Sequence, residues 1–76
     1  RIESFTPGHR TTFSSSIVDV CGLLLEGELN LMLLSGTEVL AAGDSFYIPN
    51  NQLYQLSNNT VNECRLFRCS LFVRNG

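Results

Sequence analysis

The side chains with the clearest capacity for chemistry are three consecutive serines, Ser14, Ser15 and Ser16, and the single histidine of the chain, His9. A serine nucleophile needs a histidine base, and it often stands on a sharp turn between two glycines. No such turn surrounds these serines, and the sequence places no base beside them. We therefore expect no serine hydrolase chemistry.

The carboxylates also lack an arrangement that would support acid–base chemistry. Glu26 and Glu28 flank Gly27, where a turn would leave both charges in water. Asp19 and Glu63 have no sequence neighbour that would orient them as a general acid or base. We therefore predict that the domain is not an enzyme.

The cysteines are three in number, Cys21, Cys64 and Cys69, and no two are separated by only two residues. A closed disulfide framework needs an even number, and a zinc site usually needs closely spaced pairs. The sequence therefore predicts unpaired thiols, which are typical of an intracellular protein.

Length and charge limit the classes of partner. The 76 residues suffice for one domain, residues 1–76, and because the chain opens on Arg1 rather than Met we expect a C-terminal fragment of a longer protein. A domain this small often needs a partner subunit for stability. The net charge is −2 and there is no lysine, so we expect no direct nucleic acid binding by this fragment. The apolar run at residues 31–34 is far too short to span a membrane.

The elements that must position these side chains are predicted to be strands. No stretch shows helical periodicity, and short apolar runs alternate with turn residues, which indicates an all-β sandwich or barrel of about seven strands. The runs occupy residues 12–25, 29–34, 38–42, 46–48, 53–57 and 64–73. Gly22 is a candidate for a break or bulge in the first run.

Two predicted strands are apolar on both faces, which suggests that one face meets a partner. In the last strand, Leu66 and Phe72 share a face with Arg68 and Arg74, and we predict that this face forms a subunit interface. The alternative is that a segment outside this chain packs there. The full predicted interface for a homodimer or protein partner is Ile17, Cys21, Met32, Leu34, Leu66, Arg68, Phe72 and Arg74.

The spacing of residues 43–58 resembles the second cupin motif, which reads Gly, five residues, Pro, one residue, Gly, two residues, His, three residues, Asn. Gly43, Pro49 and Asn58 match it. Asn51 stands at the second glycine position, and asparagine also tolerates a left-handed backbone. Tyr54 stands where the metal-binding histidine would be.

The first cupin motif fits more loosely, with its two glycines at Gly8 and Gly27. This frame puts Ser14 and Ser16 at the histidine positions and Val20 at the glutamate position. Together with Tyr54 these four side chains cannot hold a divalent ion, so the resemblance implies a metal-free, cofactor-free jelly roll. We expect Tyr54 to point inward with Leu56, to fill the space of the metal, and to bond through its hydroxyl to Ser14 or Ser16.

Within the cupins, the chain is similar to the C-terminal domain of the centromere protein C family. The similarity rests on Gly43, Phe46, Pro49, Tyr54, Leu56, Asn58, Glu63 and the apolar run at residues 66–73. It implies a homodimer in the nucleus, at the centromere and kinetochore, that serves chromosome segregation. It also implies docking of a loading factor for the centromeric histone H3 variant, in a parent protein that binds centromeric chromatin through segments outside this domain.

One alternative function remains open at this point. A metal-independent cupin could bind a small ligand such as a sugar, or act on it, with Tyr54, Ser14, Ser16 and Asn30 as the polar lining.

Overall fold

Residues 1–71, which the computed structural model describes, fold into seven β-strands. The strands are β1 (Ile2–Phe5), β2 (Asp19–Glu26), β3 (Glu28–Leu33), β4 (Gly36–Ala41), β5 (Ser45–Ile48), β6 (Tyr54–Ser57) and β7 (Cys64–Leu71). The prediction of an all-β fold is confirmed. No helix among the described residues is long and apolar enough to cross a membrane.

The strands form two antiparallel sheets that face each other. The larger sheet has the order β1-β7-β2-β5, and the smaller has the order β4-β3-β6. Alternate residues of each strand point into the space between the sheets, as the pleat requires. The buried core consists of Phe5, Val20, Leu24, Leu29, Leu31, Leu40, Phe46, Ile48, Tyr54, Leu56, Cys64 and Leu66.

The part of the chain before Asp19 differs from the prediction in two respects. Strand β1 was not predicted, because its four residues include Glu3 and Ser4 and carry little apolar signal of their own. It forms by pairing with β7, where Phe5 lies opposite Cys64 and is buried. The predicted strand at residues 12–25 begins only at Asp19. The segment before it touches β6 through two isolated bridges, Arg10 with Ser57 and Ser14 with Tyr54.

Gly22 lies within an unbroken part of β2, so the predicted break or bulge at this position is wrong. Its in-register neighbour on β5 is Phe46, whose ring covers the glycine. A Cβ atom on Gly22 would lie 2.4 Å from two ring atoms of Phe46. The irregularity of β2 falls instead between Leu24 and Glu26, where the register with β7 shifts.

Left-handed backbone occurs where the motif spacing places it. Asn51 has φ 65°, as expected for the residue at the second glycine position, and its N–H bonds the carbonyl of Ser16 at 2.7 Å. Gly27 has φ 85°, and a Cβ there would lie 2.7 Å from the Cβ of Cys64. The β2–β3 turn therefore needs a glycine both for its conformation and for its close approach to β7.

Asn58 is fully buried and joins three parts of the chain. Its Nδ2 donates to the carbonyls of Phe5 at 2.9 Å and Asn62 at 2.8 Å. Its Oδ1 accepts from the main-chain N–H and the hydroxyl of Thr60 at 3.0 and 2.8 Å. Its main-chain N–H donates to the carbonyl of His9, and its carbonyl accepts from the N–H of Gly8. Since every polar group of this buried side chain has a partner, it stabilises the end of β1 and the loop before β7.

We expect Asn58→Ala to destabilise the fold by about 2 to 4 kcal/mol, because the carbonyls of Phe5 and Asn62 lose a buried donor. Urea denaturation followed by circular dichroism measures this loss. Asn62→Ala is the matched control, since the Asn62 residue is exposed and the contacts found here use its main chain. Equal stability of the two variants would contradict the assigned role of Asn58.

We expect Gly22→Ala to destabilise the fold by about 1 to 3 kcal/mol, because the added methyl group overlaps the Phe46 ring. A smaller side chain at position 46 removes that overlap. The double variant Gly22→Ala with Phe46→Leu should therefore lose less free energy of unfolding than the sum of the losses in the two single variants. Strict additivity in denaturation experiments would show that the ring does not restrict position 22.

Candidate functional site

A cavity of about 290 Å³ opens at one end of the space between the sheets. Its lining includes all four residues that the motif spacing places at metal-ligand positions, Ser14, Ser16, Val20 and Tyr54. The remaining lining residues are Arg1, Thr11, Arg68 and Ser70. We refer to this space as the interior cavity. Strands β2, β6 and β7 position its core-side residues, and the irregular segment before β2 supplies the serines.

Arg68 is the central polar group of the interior cavity. Its side chain is only 18% exposed, and Nη1 donates to the hydroxyl of Tyr54 at 3.1 Å. Nη2 donates to Oε1 of Glu3 at 2.6 Å. Because both partners come from other strands, Arg68 ties β7 to β6 and to β1 with charge-assisted bonds.

Glu3 balances the charge of that guanidinium. Its Oε1 also accepts from Arg1 at 3.1 Å, but the Arg1 side chain is 71% exposed, so that contact contributes little. Its Oε2 is buried without a hydrogen-bond partner. The carboxylate and the Arg68 guanidinium neutralise each other, and the cavity has no large excess of positive charge at its inner wall.

The expectation for Tyr54 is corrected in two respects. The residue is buried and points into the molecule, but it does not fill the interior, since the 290 Å³ cavity remains beside it. Its hydroxyl bonds Arg68 and not a serine. Ser14 contacts Tyr54 through the main chain instead, in a pair of N–H to carbonyl bonds of 3.1 and 2.9 Å. Strand alternation alone could not reveal that Arg68 reaches the same point.

The chemistry of the interior cavity is that of hydrogen bonding. Among residues 1–71 there is no group of three or more His, Cys, Asp or Glu side chains that could hold a metal ion. His9 lies away from the cavity lining and packs edge-on against Phe5, with ring centroids 5.2 Å apart. Asn30, a predicted lining residue for a small ligand, is not part of the lining, because it pairs with Val39 and Ser57 on the smaller sheet.

The second notable surface is the outward face of the larger sheet. We call it the outer sheet face and define it by Ile2, Leu23, Tyr47, Phe67 and Leu71, whose exposed fractions run from 39% to 58%. Ile2, Phe67 and Leu23 are directly opposite one another on β1, β7 and β2. Cys69, Cys21 and Tyr47 form the next row across β7, β2 and β5. The result is a contiguous apolar surface over all four strands.

This arrangement corrects the predicted interface on β7. The side chains alternate along β7 as predicted, but the face that carries Leu66 and Arg68 points inward. Leu66 is fully buried in the core, and Arg68 lines the interior cavity, so neither is available to a partner. The physical reason is that β7 is an internal strand, whose inward face the core and cavity occupy. The predicted interface residues Phe72 and Arg74 lie outside the described residues.

The other predicted interface residues do not come together. Cys21 lies on the outer sheet face, half-buried between Cys69 and Tyr47. Ile17 is exposed in the segment before β2, and Leu34 is exposed after β3. Met32 pairs with Thr37 and Gln55 on the smaller sheet. The predicted interface did not include Ile2, Leu23 or Phe67, although strand alternation places Phe67 and Leu71 on one face of the last strand.

One edge of the outer sheet face is held by an aspartate. Asp19 accepts a hydrogen bond from the Tyr47 hydroxyl and one from the main-chain N–H of Asn50 at 2.7 Å. The bond from Tyr47, followed by that from Asn50, lowers the pKa of Asp19. The same bond to the carboxylate raises the pKa of Tyr47. Asp19 thereby fixes the phenol ring against β2 and gives this edge a negative charge.

Solved structures with a similar fold exist, whereas comparison of the sequence found no match. No protein-family model matches the chain, and no curated protein matches it. A cupin superfamily protein from Desulfitobacterium hafniense superposes with a TM-score of 0.87 at 17% identity, over 95% of this chain and 64% of that one. All matches described here are below 20% identity, at which similarity establishes the fold alone.

Two further similar structures come from Drosophila melanogaster. CENP-C bound to CAL1 superposes with a TM-score of 0.85 at 19% identity, over 92% of this chain and 62% of that one. The CENP-C cupin domain superposes with a TM-score of 0.81 at 18% identity, over 92% and 58%. The present chain thus spans less than two thirds of the length of each of these structures. The shared topology establishes that this chain has the cupin fold, a jelly roll of two antiparallel sheets.

Proposed function

We propose that this domain is a homodimerisation and protein-docking module in which two copies pair through the outer sheet face. The observation that supports this most strongly is the row of Ile2, Phe67 and Leu23, which lie in register across three strands and are all substantially exposed. Contiguous exposed apolar surface on a soluble domain commonly marks a protein interface. Removing it from water stabilises a complex.

A second copy of the chain is the occupant that fits this face. Two-fold pairing brings identical apolar patches together, so each apolar side chain meets apolar surface. The polar rim is also complementary. Arg65 lies at one end of the face, opposite Ser4, and Asp19 lies toward the other end, opposite Leu71. If the two-fold axis runs across the strands, Arg65 of each copy approaches Asp19 of the other. An area on the order of 1,600 Å² would suffice for a stable dimer.

The biological setting that we propose is the centromere. The motif residues resemble the centromere protein C family, and the CENP-C cupin domain is among the similar structures. Another similar structure is that of Drosophila CENP-C bound to CAL1, which supports a protein ligand for the present domain. The proposed partner besides the second copy is a loading factor of the centromeric histone H3 variant, and the proposed location is the nucleus, at the centromere and kinetochore.

The proposed mechanism is bivalency and not catalysis. Holding two long parent chains together raises the effective concentration of weak binding sites elsewhere on each chain. A catalytic role has no support from the described residues, since the interior cavity holds a charge-neutralised arginine, a tyrosine and hydroxyls, with no nucleophile beside a base.

The test is sedimentation equilibrium over about 1 to 100 μM, a range that brackets the affinity of a stable dimer. We expect twice the chain mass for the wild type. Phe67→Asp should sediment as a monomer, because an unpaired charge in a dry interface costs several kcal/mol. Val39→Asp is the matched control, since Val39 is exposed on the smaller sheet and its replacement should leave the dimer intact.

Each outcome separates a different part of the proposal. A monomeric wild type at all concentrations would remove the bivalency mechanism. A dimer that survives Phe67→Asp but dissociates with Val39→Asp would move the interface to the smaller sheet. Circular dichroism of both variants establishes that the compared chains are folded.

The interior cavity favours a second candidate function, the binding of a small neutral polar ligand such as a sugar. Its hydroxyl groups come from Thr11, Ser14, Ser16, Tyr54 and Ser70. Glu3 pairs with Arg68, so the hydroxyl groups of the lining are the groups that would bind a polyhydroxy compound.

A thermal shift assay with separate panels of sugars and divalent metal ions tests this second candidate. A docking module should show no change in Tm with either panel. A rise in Tm with one sugar, lost in Ser14→Val but kept in the control Ser15→Val, would support ligand binding. Ser15 is absent from the cavity lining and serves for that reason as the control.

A further inference from the structure

Cys21 and Cys69 face each other across the two internal strands of the larger sheet. Cys21 on β2 and Cys69 on β7 are direct cross-strand partners, although they are 48 residues apart in sequence. Their Sγ atoms are 3.1 Å apart, which is closer than an ordinary non-bonded contact between two sulfurs. The third cysteine, Cys64, is fully buried in the core on the inward face of β7 and takes no part in this pair.

The backbone places the pair within the range that a disulfide requires. Directly opposed residues in an antiparallel pair have Cα atoms about 4.5 to 5.5 Å apart, and disulfides occur at about 4.4 to 6.8 Å. Both side chains point to the same face of the sheet, so a disulfide between them requires no change in the direction of the backbone. Closing the sulfurs to about 2.05 Å requires side-chain rotation over roughly one ångström.

In the single chain the surroundings leave the pair reachable from solvent. Both residues are half-buried on the outer sheet face and not enclosed in the core. The hydrogen bond with Cys69, together with desolvation, raises the pKa of Cys21. The Cys21 thiol therefore loses its proton less readily than an unperturbed cysteine, and its reaction as a thiolate becomes faster as the pH rises.

We propose that Cys21 and Cys69 form a reversible intrachain disulfide, which makes this pair a redox modification site that covalently joins β2 to β7. The reaction partner is a low-molecular-weight disulfide such as oxidised glutathione. One protein thiol loses its proton and attacks a sulfur of glutathione disulfide, and one glutathione leaves as a thiol. The second protein thiol loses its proton, attacks the resulting mixed disulfide and releases the second glutathione. The two protein thiols are oxidised, and the glutathione disulfide is reduced to two glutathione thiols.

The inference does not depend on dimerisation, and the experiment keeps the two apart. Wild type and Phe67→Asp are equilibrated at about 1 μM with mixtures of reduced and oxidised glutathione, quenched with acid and alkylated. Peptide mapping by mass spectrometry then quantifies each cysteine. We expect a Cys21–Cys69 disulfide within one chain in both proteins, Cys64 as a free thiol, and full reversal by excess reduced glutathione.

The unfolded chain is the matched reference. In strong denaturant the same two cysteines are 48 residues apart with no register to hold them. We expect the equilibrium constant for forming the disulfide to be at least about tenfold higher in the folded protein, and by linkage the oxidised protein should have a higher Tm than the reduced one. Cys21→Ser and Cys69→Ser should each instead retain one glutathione on the remaining partner.

Several results would overturn the inference. They are an equilibrium constant in the folded protein no higher than in the unfolded chain, a lower Tm after oxidation, or stable glutathione adducts on both cysteines of the wild type. Disulfides between chains in preference to the intrachain bond would also overturn it. A monomeric wild type would contradict the proposed dimer and leave the disulfide inference intact.

Discussion

The antiparallel pairing of β2 with β7 is the interaction on which the other features depend. Each strand contributes eight residues, and the two are the internal strands of the larger sheet. Since side chains alternate along a strand, one register fixes two surfaces at once. Leu24 and Leu66 point into the core, and Leu23 and Phe67 point out. A slip of one residue would exchange the core for the outer sheet face, so the core and the proposed interface are specified together.

The polar interior is held by the same pairing. Gly22 lies opposite Arg68 in that register, and because glycine has no side chain, its place on the inward face is taken by the Phe46 ring. Arg68 then extends toward Tyr54 and Glu3, and the space that remains is the interior cavity. A guanidinium in this position is tolerated because a carboxylate and a phenol satisfy it. The residues that the motif spacing placed at ligand positions line this cavity together with Arg68.

The proposed dimer interface and the candidate ligand cavity lie on opposite faces of the larger sheet. A ligand in the interior cavity would contact Arg68 and Ser70 on the inward side of β7, whereas a second copy would contact Phe67 and Leu71 on its outward side. Both kinds of contact act on the same strand, and so does the Cys21–Cys69 pair. Strand β7 is thus common to the interior cavity, the outer sheet face and the cysteine pair.

The sequence by itself determined the all-β class and most of the strands, because turn residues and apolar runs are local signals. The resemblance to the cupin motif identified the glycine-like position at Asn51. Motif spacing also picked out Ser14, Ser16, Val20 and Tyr54, which the fold gathers around one cavity. Only the tertiary structure decided which face of β7 is buried, since alternation separates two faces without saying which meets the core. It alone revealed β1, the bond from Arg68 to Tyr54 and the contact of Cys21 with Cys69, because each joins residues from distant parts of the chain that meet only when the sheets form.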